Sequence, residues 1–337
     1  MSITTRYLTK WGDTDDIALK LLENMIWPIL ALVILVILLF APQTFRNFLS
    51  IELLLWGGVA LGLLVLAESL CLLSGNFDLS IGSIAGFSAM LTGMVLGTCP
   101  SCWGITSNAF VGFALILTIG GTIGLVNGIM IGRFGINPFL QTLAFLIIFQ
   151  GAKTSLNTQP VSGLPDLYVL PGGTPWVAIG LMLAAFAMFG YVMTYTRFGQ
   201  AVYAIGSNEK AARDVGIDTE KVIMIVYTLS GMLAAVAGLM ITGFTGVVPP
   251  LIGEGLVFQA FAGAVIGGIS LFGGRGVITG ALGGVILIKV VETALSNTAS
   301  IGATEIQMYN GIVLLAAILL YSTQTKLRSR ILASGAS

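Results

Sequence analysis

The sequence has 337 residues, a formal net charge of zero, and 9% charged against 56% hydrophobic side chains. Soluble domains carry about 25% charged residues, so this chain has too little polar surface to cover a water-soluble globule. It has no histidine, which excludes His-based acid–base chemistry, His-activated nucleophiles and His metal sites. No Gly-Lys pair occurs, so the phosphate loop G-x-x-x-x-G-K-[ST] is missing and any ATP hydrolysis belongs to another chain. The expectation is a membrane protein that is not an enzyme, with no cofactor, metal ion or nucleic acid bound to this chain.

Residues 1–24 are polar and of mixed sign. The run "MIWPILALVILVILLFA" (25–41) exceeds a typical signal-peptide core and leads into "PQTFRNF" without a small-residue cleavage site, so it reads as an anchor. A spanning helix needs about 20 mainly apolar residues. No charged residue lies between Asp78 and Arg133, Asp166 and Arg197, or Lys221 and Glu254, and these windows hold two, one and one spans. Apolar runs between polar punctuation give ten candidate helices, at 25–41, 51–73, 79–97, 108–132, 136–152, 175–195, 221–245, 256–272, 276–296 and 305–322. The predicted fold is an all-α polytopic bundle over 25–322, followed by a polar tail, 323–337. The helix at 256–272 is short and Gly-rich and is expected to enter the membrane only partway.

Polar residues within these spans are the candidates for function. Glu68 in the second helix costs about 2.5–3.5 kcal/mol if left unpaired in mid-bilayer, so it faces a polar cavity or closes an internal salt bridge. In "SGNFDLSIGS" (74–83), Asn76, Asp78 and Ser80 cluster where the second helix meets the third, as a helix cap or as part of a translocation path. Cys99 and Cys102 form "CPSC", which reads as plain loop residues or as a disulfide if the loop faces an oxidising compartment. Cys71 lies in an apolar run and reads as core. Pro138 suits the first turn of the fifth helix, and Asn137, Gln141 and Thr142 are polar groups there available to a hydroxylated solute. Lys289 and Glu292, three apart on the ninth helix, share a face and can pair.

Glycine organises the packing. Gly120, Gly124, Gly128 and Gly132 recur every fourth residue in the fourth helix, and Gly276, Gly280 and Gly284 do so in the ninth. Such stripes let a neighbouring helix approach closely. The two helices are five apart, as a five-plus-five internal repeat would place them.

"AIGSNEKAARDVGI" (204–217) puts four charges, Glu209, Lys210, Arg213 and Asp214, into fourteen residues of a chain that is only 9% charged. Asn208 suits an N-cap, Glu209 the positive end of the helix dipole, and Gly216 the left-handed position that ends a helix. The expectation is a two-turn helix outside the lipid, with Ala211, Ala212 and Val215 on one face. It is either a solvated loop or a docking element. With both termini cytoplasmic, twelve Lys and Arg fall on the inner side, Arg46 and Lys153 on the outer side, and Lys289 within a span.

Five stretches resemble, in family order over about residues 50 to 320, the ribose-type sugar permeases of ATP-binding-cassette importers. They are "SGNFDLSIGS", "GINPFLQTLAF" with "TQPVSGLP", "TRFGQAVYAIGSNEKAARDVGI", "YTLSGMLAAVAGL" and "AVIGGISLFGGRGVITGALGG". The resemblance implies a membrane-embedded subunit, paired with a second copy or a paralogue. It would sit on ATPase subunits and receive its solute from an extracytoplasmic binding protein. It also implies that the cytoplasmic loop 196–220 is the coupling loop, with Ala204, Gly206, Asn208, Glu209, Ala211, Ala212, Arg213 and Gly216 meeting the ATPase. Where family members carry a Glu-Leu-Asp pattern before the eighth helix, this chain has Val257, Phe258 and Gln259, and Glu68 stands where a neutral residue is usual. The solute is expected to be small and hydroxylated, a monosaccharide. Branched-chain amino acids or nucleosides are the alternative within the class, and an ATP-independent facilitator is the alternative outside it.

Overall fold

A computed structural model describes residues 25–298 together with Met308, Gly311, Ile312 and Leu315. The expected segment 1–24, the tenth helix and the tail 323–337 lie essentially outside the described residues. The helices in chain order are α1 (Ile26–Phe40), α2 (Phe48–Gly57), α3 (Val59–Leu73), α4 (Ile81–Leu96) and α5 (Ala109–Gly128), which runs on through a π turn, Ile129–Arg133. Then follow α6 (Pro138–Leu156), α7 (Asp166–Gly173), α8 (Pro175–Tyr195), α9 (Arg197–Ser207), α10 (Glu209–Asp214), α11 (Thr219–Thr245), α12 (Leu256–Ile266) and α13 (Ile278–Thr298). Among the described residues, extended pairing is limited to an isolated bridge between Val161 and Val248.

Among the described residues, five helices are long and apolar enough to cross a membrane, and six if α2 and α3 form one span bent by 41°. The predicted second helix is that bent pair, broken at Gly57 and Gly58. The predicted eighth helix ends early, at Ile266. The short helix α7, which carries Pro171 inside it, has no counterpart among the expected elements.

Local chemistry sets the helix starts. Asn47, Asn108, Asn137, Thr196, Asn208 and Asp218 each accept a backbone N–H from the first turn that follows, satisfying donors that a helix cannot satisfy itself. Pro138 and Pro175 occupy first-turn positions where the missing N–H costs nothing. Helix α3 is buried on every side from Leu61 to Leu73, as a helix apolar all round must be. It lies at the centre of the bundle. Helix α6 buries little of its surface and presents Leu140, Ile147 and Ile148 outward.

Glycines close two helix pairs. On α5, a Cβ at Gly120, Gly124 or Gly128 would run into the backbone of Gly231, Tyr227 or Met224 on α11, and one at Gly132 would meet the Glu220 carbonyl. On α13, Gly284 faces the backbone of Gly263 in α12, and Gly280 that of Gly267 just after it. Gly276 departs from the expected stripe. It precedes α13, with φ +127°, a conformation side-chain-bearing residues rarely adopt, and it packs on Ile269.

Cys99 and Cys102 are joined as a disulfide beside the Val161 bridge region, where the Thr98 N–H donates to the Ser162 carbonyl (3.2 Å). The loop it closes is four residues long, so the chain entropy it removes is worth at most about 2 kcal/mol. Replacing both cysteines with serine is expected to leave uptake unchanged and to lower the unfolding midpoint in detergent by a few degrees at most. Loss of uptake at normal membrane abundance would show that the bridge is essential.

Candidate functional site

Two features concentrate polar groups, one inside the bundle and one at its end. The internal one begins where the chain leaves α3 and enters α4. Asp78 is fully buried and accepts the Ser80 N–H (3.0 Å), the Ser80 hydroxyl and the Ser230 hydroxyl of α11 (3.2 Å). The Ser80 hydroxyl accepts from Asn127 Nδ2 on α5 (3.0 Å), and Asn127 Oδ1 accepts from Gln141 Nε2 on α6 (3.4 Å). The Tyr227 hydroxyl donates to the Phe77 carbonyl (2.6 Å). One polar chain thus links three helices, α5, α6 and α11, with the connection into α4.

Glu68 is also fully buried, close enough to Asp78 to interact electrostatically. Among the described residues neither of its carboxyl oxygens has a hydrogen-bond partner, and no cation pairs with it. The expected alternative of an internal salt bridge for Glu68 is therefore not what the described residues contain. Lys289 and Glu292 do pair, at 2.9 Å.

The remaining candidates lie elsewhere. Asn137 caps α6 through the Phe139 N–H (2.9 Å) and is exposed. The Thr142 hydroxyl donates to the Pro138 carbonyl of its own helix (2.8 Å). Asn76 donates to Ser74. The structure therefore joins Asp78, Ser80 and Gln141 in one network, sets Glu68 beside it without a hydrogen bond, and leaves Asn76, Asn137 and Thr142 out of it. Asn127 and Ser230 join it without having stood out in the sequence. A lone amide in the glycine-rich face of α5 is the available signal for Asn127.

At the end of the bundle, Asn208 caps α10 by accepting the Ala211 N–H (3.0 Å), and Gly216 follows with φ +87°. Arg213 bridges Glu209 (3.0 Å) on the solvated side and also donates to the Thr219 hydroxyl of α11 (3.0 Å). Lys221 pairs with Asp218 (3.0 Å), and this hydrogen bond holds the Asp218 carboxyl below its usual value. Ala211 is exposed and Val215 is 77% exposed. Ala212 is different: it is buried in the main core. The expectation that Ala211 and Ala212 together form an open face is corrected, because a six-residue helix anchored on α9 and α11 must turn one side inward.

Helix α9 ties this end to the polar cluster. Gly206 lies against the backbones of Gly75 and Gly273, and the Gly274 N–H donates to the Leu73 carbonyl (3.0 Å). Ala204 is half-buried, and the Tyr203 hydroxyl donates to the Gly276 carbonyl (2.8 Å). Burial raises the Tyr203 phenol above its usual value. Among the described residues there is no cluster of His, Cys, Asp and Glu able to hold a metal ion.

The chain is similar to known transport proteins. Residues 50–322 match the family described as branched-chain amino acid transport system / permease component. The chain is 34% identical over 306 residues to the ribose import permease protein of Bacillus subtilis (strain 168), covering 87% of this chain and 91% of that one. It is 30% identical over 290 residues to the L-arabinose transport system permease protein of Escherichia coli (strain K12), covering 83% and 84%. It is 32% identical over 264 residues to the autoinducer 2 import system permease protein of Yersinia pseudotuberculosis serotype O:1b (strain IP 31758), covering 74% and 72%. No solved structure matches the chain. A matched segment spanning most of the bundle, together with apolar membrane-length helices, makes this chain a member of that permease-component family, a multi-pass membrane transport subunit and not an enzyme.

Proposed function

We propose that this chain is the membrane-spanning subunit of an ATP-driven importer for a small hydroxylated solute of the monosaccharide class. It would pair with a second permease copy or a paralogue. A separate ATPase docks on α10, and an extracytoplasmic binding protein delivers the solute. The observation that carries the reading is α10 itself, a short capped helix that offers Ala211 and Val215 to solvent while Ala212 fixes it to the bundle. A passive facilitator has no use for such an element. The names of the relatives, import permeases for ribose, arabinose and autoinducer 2, favour a hydroxylated solute over a branched-chain amino acid. In this reading ATP binding on the partner biases the bundle between inward- and outward-open states.

The arrangement requires the α10 end to be cytoplasmic and the disulfide end external, as the Lys/Arg bias favours. In a background without native cysteines, Arg46→Cys and Pro160→Cys are expected to react with an impermeant maleimide added to intact cells, and Lys210→Cys to react only after permeabilisation. Reaction of the Lys210→Cys variant in intact cells would reverse the orientation and end the coupling role. Uptake of D-ribose in proteoliposomes, with and without ATP and the partner chains, tests the transport reading directly.

A further inference from the structure

The chain between α11 and α12 does not remain at the end of the bundle. Residues 246–255 are non-helical, and they descend along α4. Val248 packs at Gly93, the Ile252 carbonyl at Gly86 and the Gly253 carbonyl at Gly82. From Gly93 to Gly82 is about 16 Å along the helix at 1.5 Å per residue. Helix α12 therefore starts deep in the bundle. Non-helical backbone at membrane depth is tolerated only where protein buries it or where it lines water. Ile252 and Gly253 are buried, whereas Leu251, Glu254 and Gly255 are exposed.

A carboxylate at this depth cannot face acyl chains without a cost of several kcal/mol. Glu254 keeps 32% of its side chain exposed, yet it holds a buried partner. That partner is Lys153 of α6, whose side chain is 2% exposed and whose ammonium donates to Glu254 Oε1 (2.9 Å) and to the Ile252 carbonyl (3.1 Å). Lys153, expected in an external loop, lies instead in the last turn of α6 and reaches inward past Gly86. An ammonium has three protons and a carboxylate about four acceptor sites. These two contacts leave the carboxylate with acceptors to offer. Gln259, half-buried one turn into α12, adds a further amide nearby in sequence.

We propose that the Lys153–Glu254 pair, at the break before α12, faces an aqueous route through the bundle and hydrogen-bonds the hydroxyls of a passing polyhydroxylated solute. This deepens the import reading above and rests on it. Discontinuous helices near the middle of the membrane are where transporters place solute groups. Glu254 would accept from solute hydroxyls, while the buried Lys153, held by the Ile252 carbonyl, fixes the carboxylate in place.

Two measurements on the assembled transporter in membranes test it. Only a hydrated thiol ionises and reacts readily. Glu254→Cys, in a background with the native cysteines replaced by serine, is therefore expected to react with a small cationic methanethiosulfonate at least about tenfold faster than Ile148→Cys, an exposed apolar position on α6. Equal or slower reaction would overturn the aqueous route, whether lipid or a second copy covers the site. For solute contact, Glu254→Gln is expected to raise the KM for D-ribose about tenfold, the loss of one charge-assisted hydrogen bond, with the maximal rate much less affected. An unchanged KM for Glu254→Gln, when the thiol of Glu254→Cys is reactive, would overturn the contact. Absence of D-ribose uptake by the unmodified transporter would count against D-ribose as the solute and not against the aqueous route, because the labelling result stands without it.

Discussion

Val215→Asp is expected to abolish solute uptake while the permease remains in the membrane at normal abundance. Val215 is 77% exposed at the end of α10, so the substitution removes no internal contact, and such surface changes ordinarily cost within about 0.5 kcal/mol of stability. In a docked interface the same carboxylate would be buried without a partner, which costs about 3–5 kcal/mol. At about 1.4 kcal/mol per decade, that weakens ATPase binding by more than roughly a hundredfold. Ala211→Trp should act in the same direction through steric overlap. Ala212→Glu is the wrong probe, because Ala212 is 3% exposed and its replacement would detach α10 from the bundle. Membrane abundance, co-purification of the ATPase and uptake are the measurements. Full uptake and normal co-purification in both Val215→Asp and Ala211→Trp would remove the coupling role from α10.

Gly124→Leu is expected to cost more stability than any other substitution discussed. The first added carbon at Gly124 meets the Tyr227 carbonyl and the backbone of Thr228 on α11, and Gly231 opposes Gly120 and Gly124 in the same way. Overpacking costs about 1–3 kcal/mol when side chains can move aside. Here the obstructing atoms are main chain, so the helices themselves must separate, and the link from Asn127 of α5 to Ser80 at the start of α4 is strained with them. Gly180→Leu is the control, since nothing lies within 4 Å of its added carbon. Thermal unfolding in detergent should show a fall of many degrees for Gly124→Leu and little change for Gly180→Leu. Equal midpoints would mean that the α5–α11 contact is not a stabilising seam.

Much of the architecture was legible because lipid imposes long uncharged windows: the gaps between Asp78 and Arg133 and between Lys221 and Glu254 became α4, α5 and α11. The start of α10 was legible because Asn208 is a chemically specific cap, and Gly216 because few other residues accept its conformation. Burial inside a short helix was not. Ala211 and Ala212 are identical in composition and opposite in exposure, and only packing on α9 and α11 distinguishes them. Lys153 misled because a lysine after an apolar run ordinarily reaches solvent; its partner lies 101 residues away in a segment whose descent has no sequence period. Gly276 misled because a four-residue spacing continues across a helix boundary without any mark in the sequence. Within the polar cluster, Asp78 and Ser80 were readable as neighbours, whereas Asn127, Gln141 and Ser230 join them only through tertiary contact.

The meeting of Gly75, Gly206 and Gly273 has a mechanical consequence. Three segments touch there main chain to main chain, with no side chain between them. Side chains cushion a load by changing rotamer, and close-packed interiors that lack this freedom have low compressibility and transmit strain. The foot of α9 is thus a stiff bearing with almost no backlash. Were an ATPase to displace α10 as proposed, the movement would pass to the segment leading into Asp78 with little rearrangement on the way.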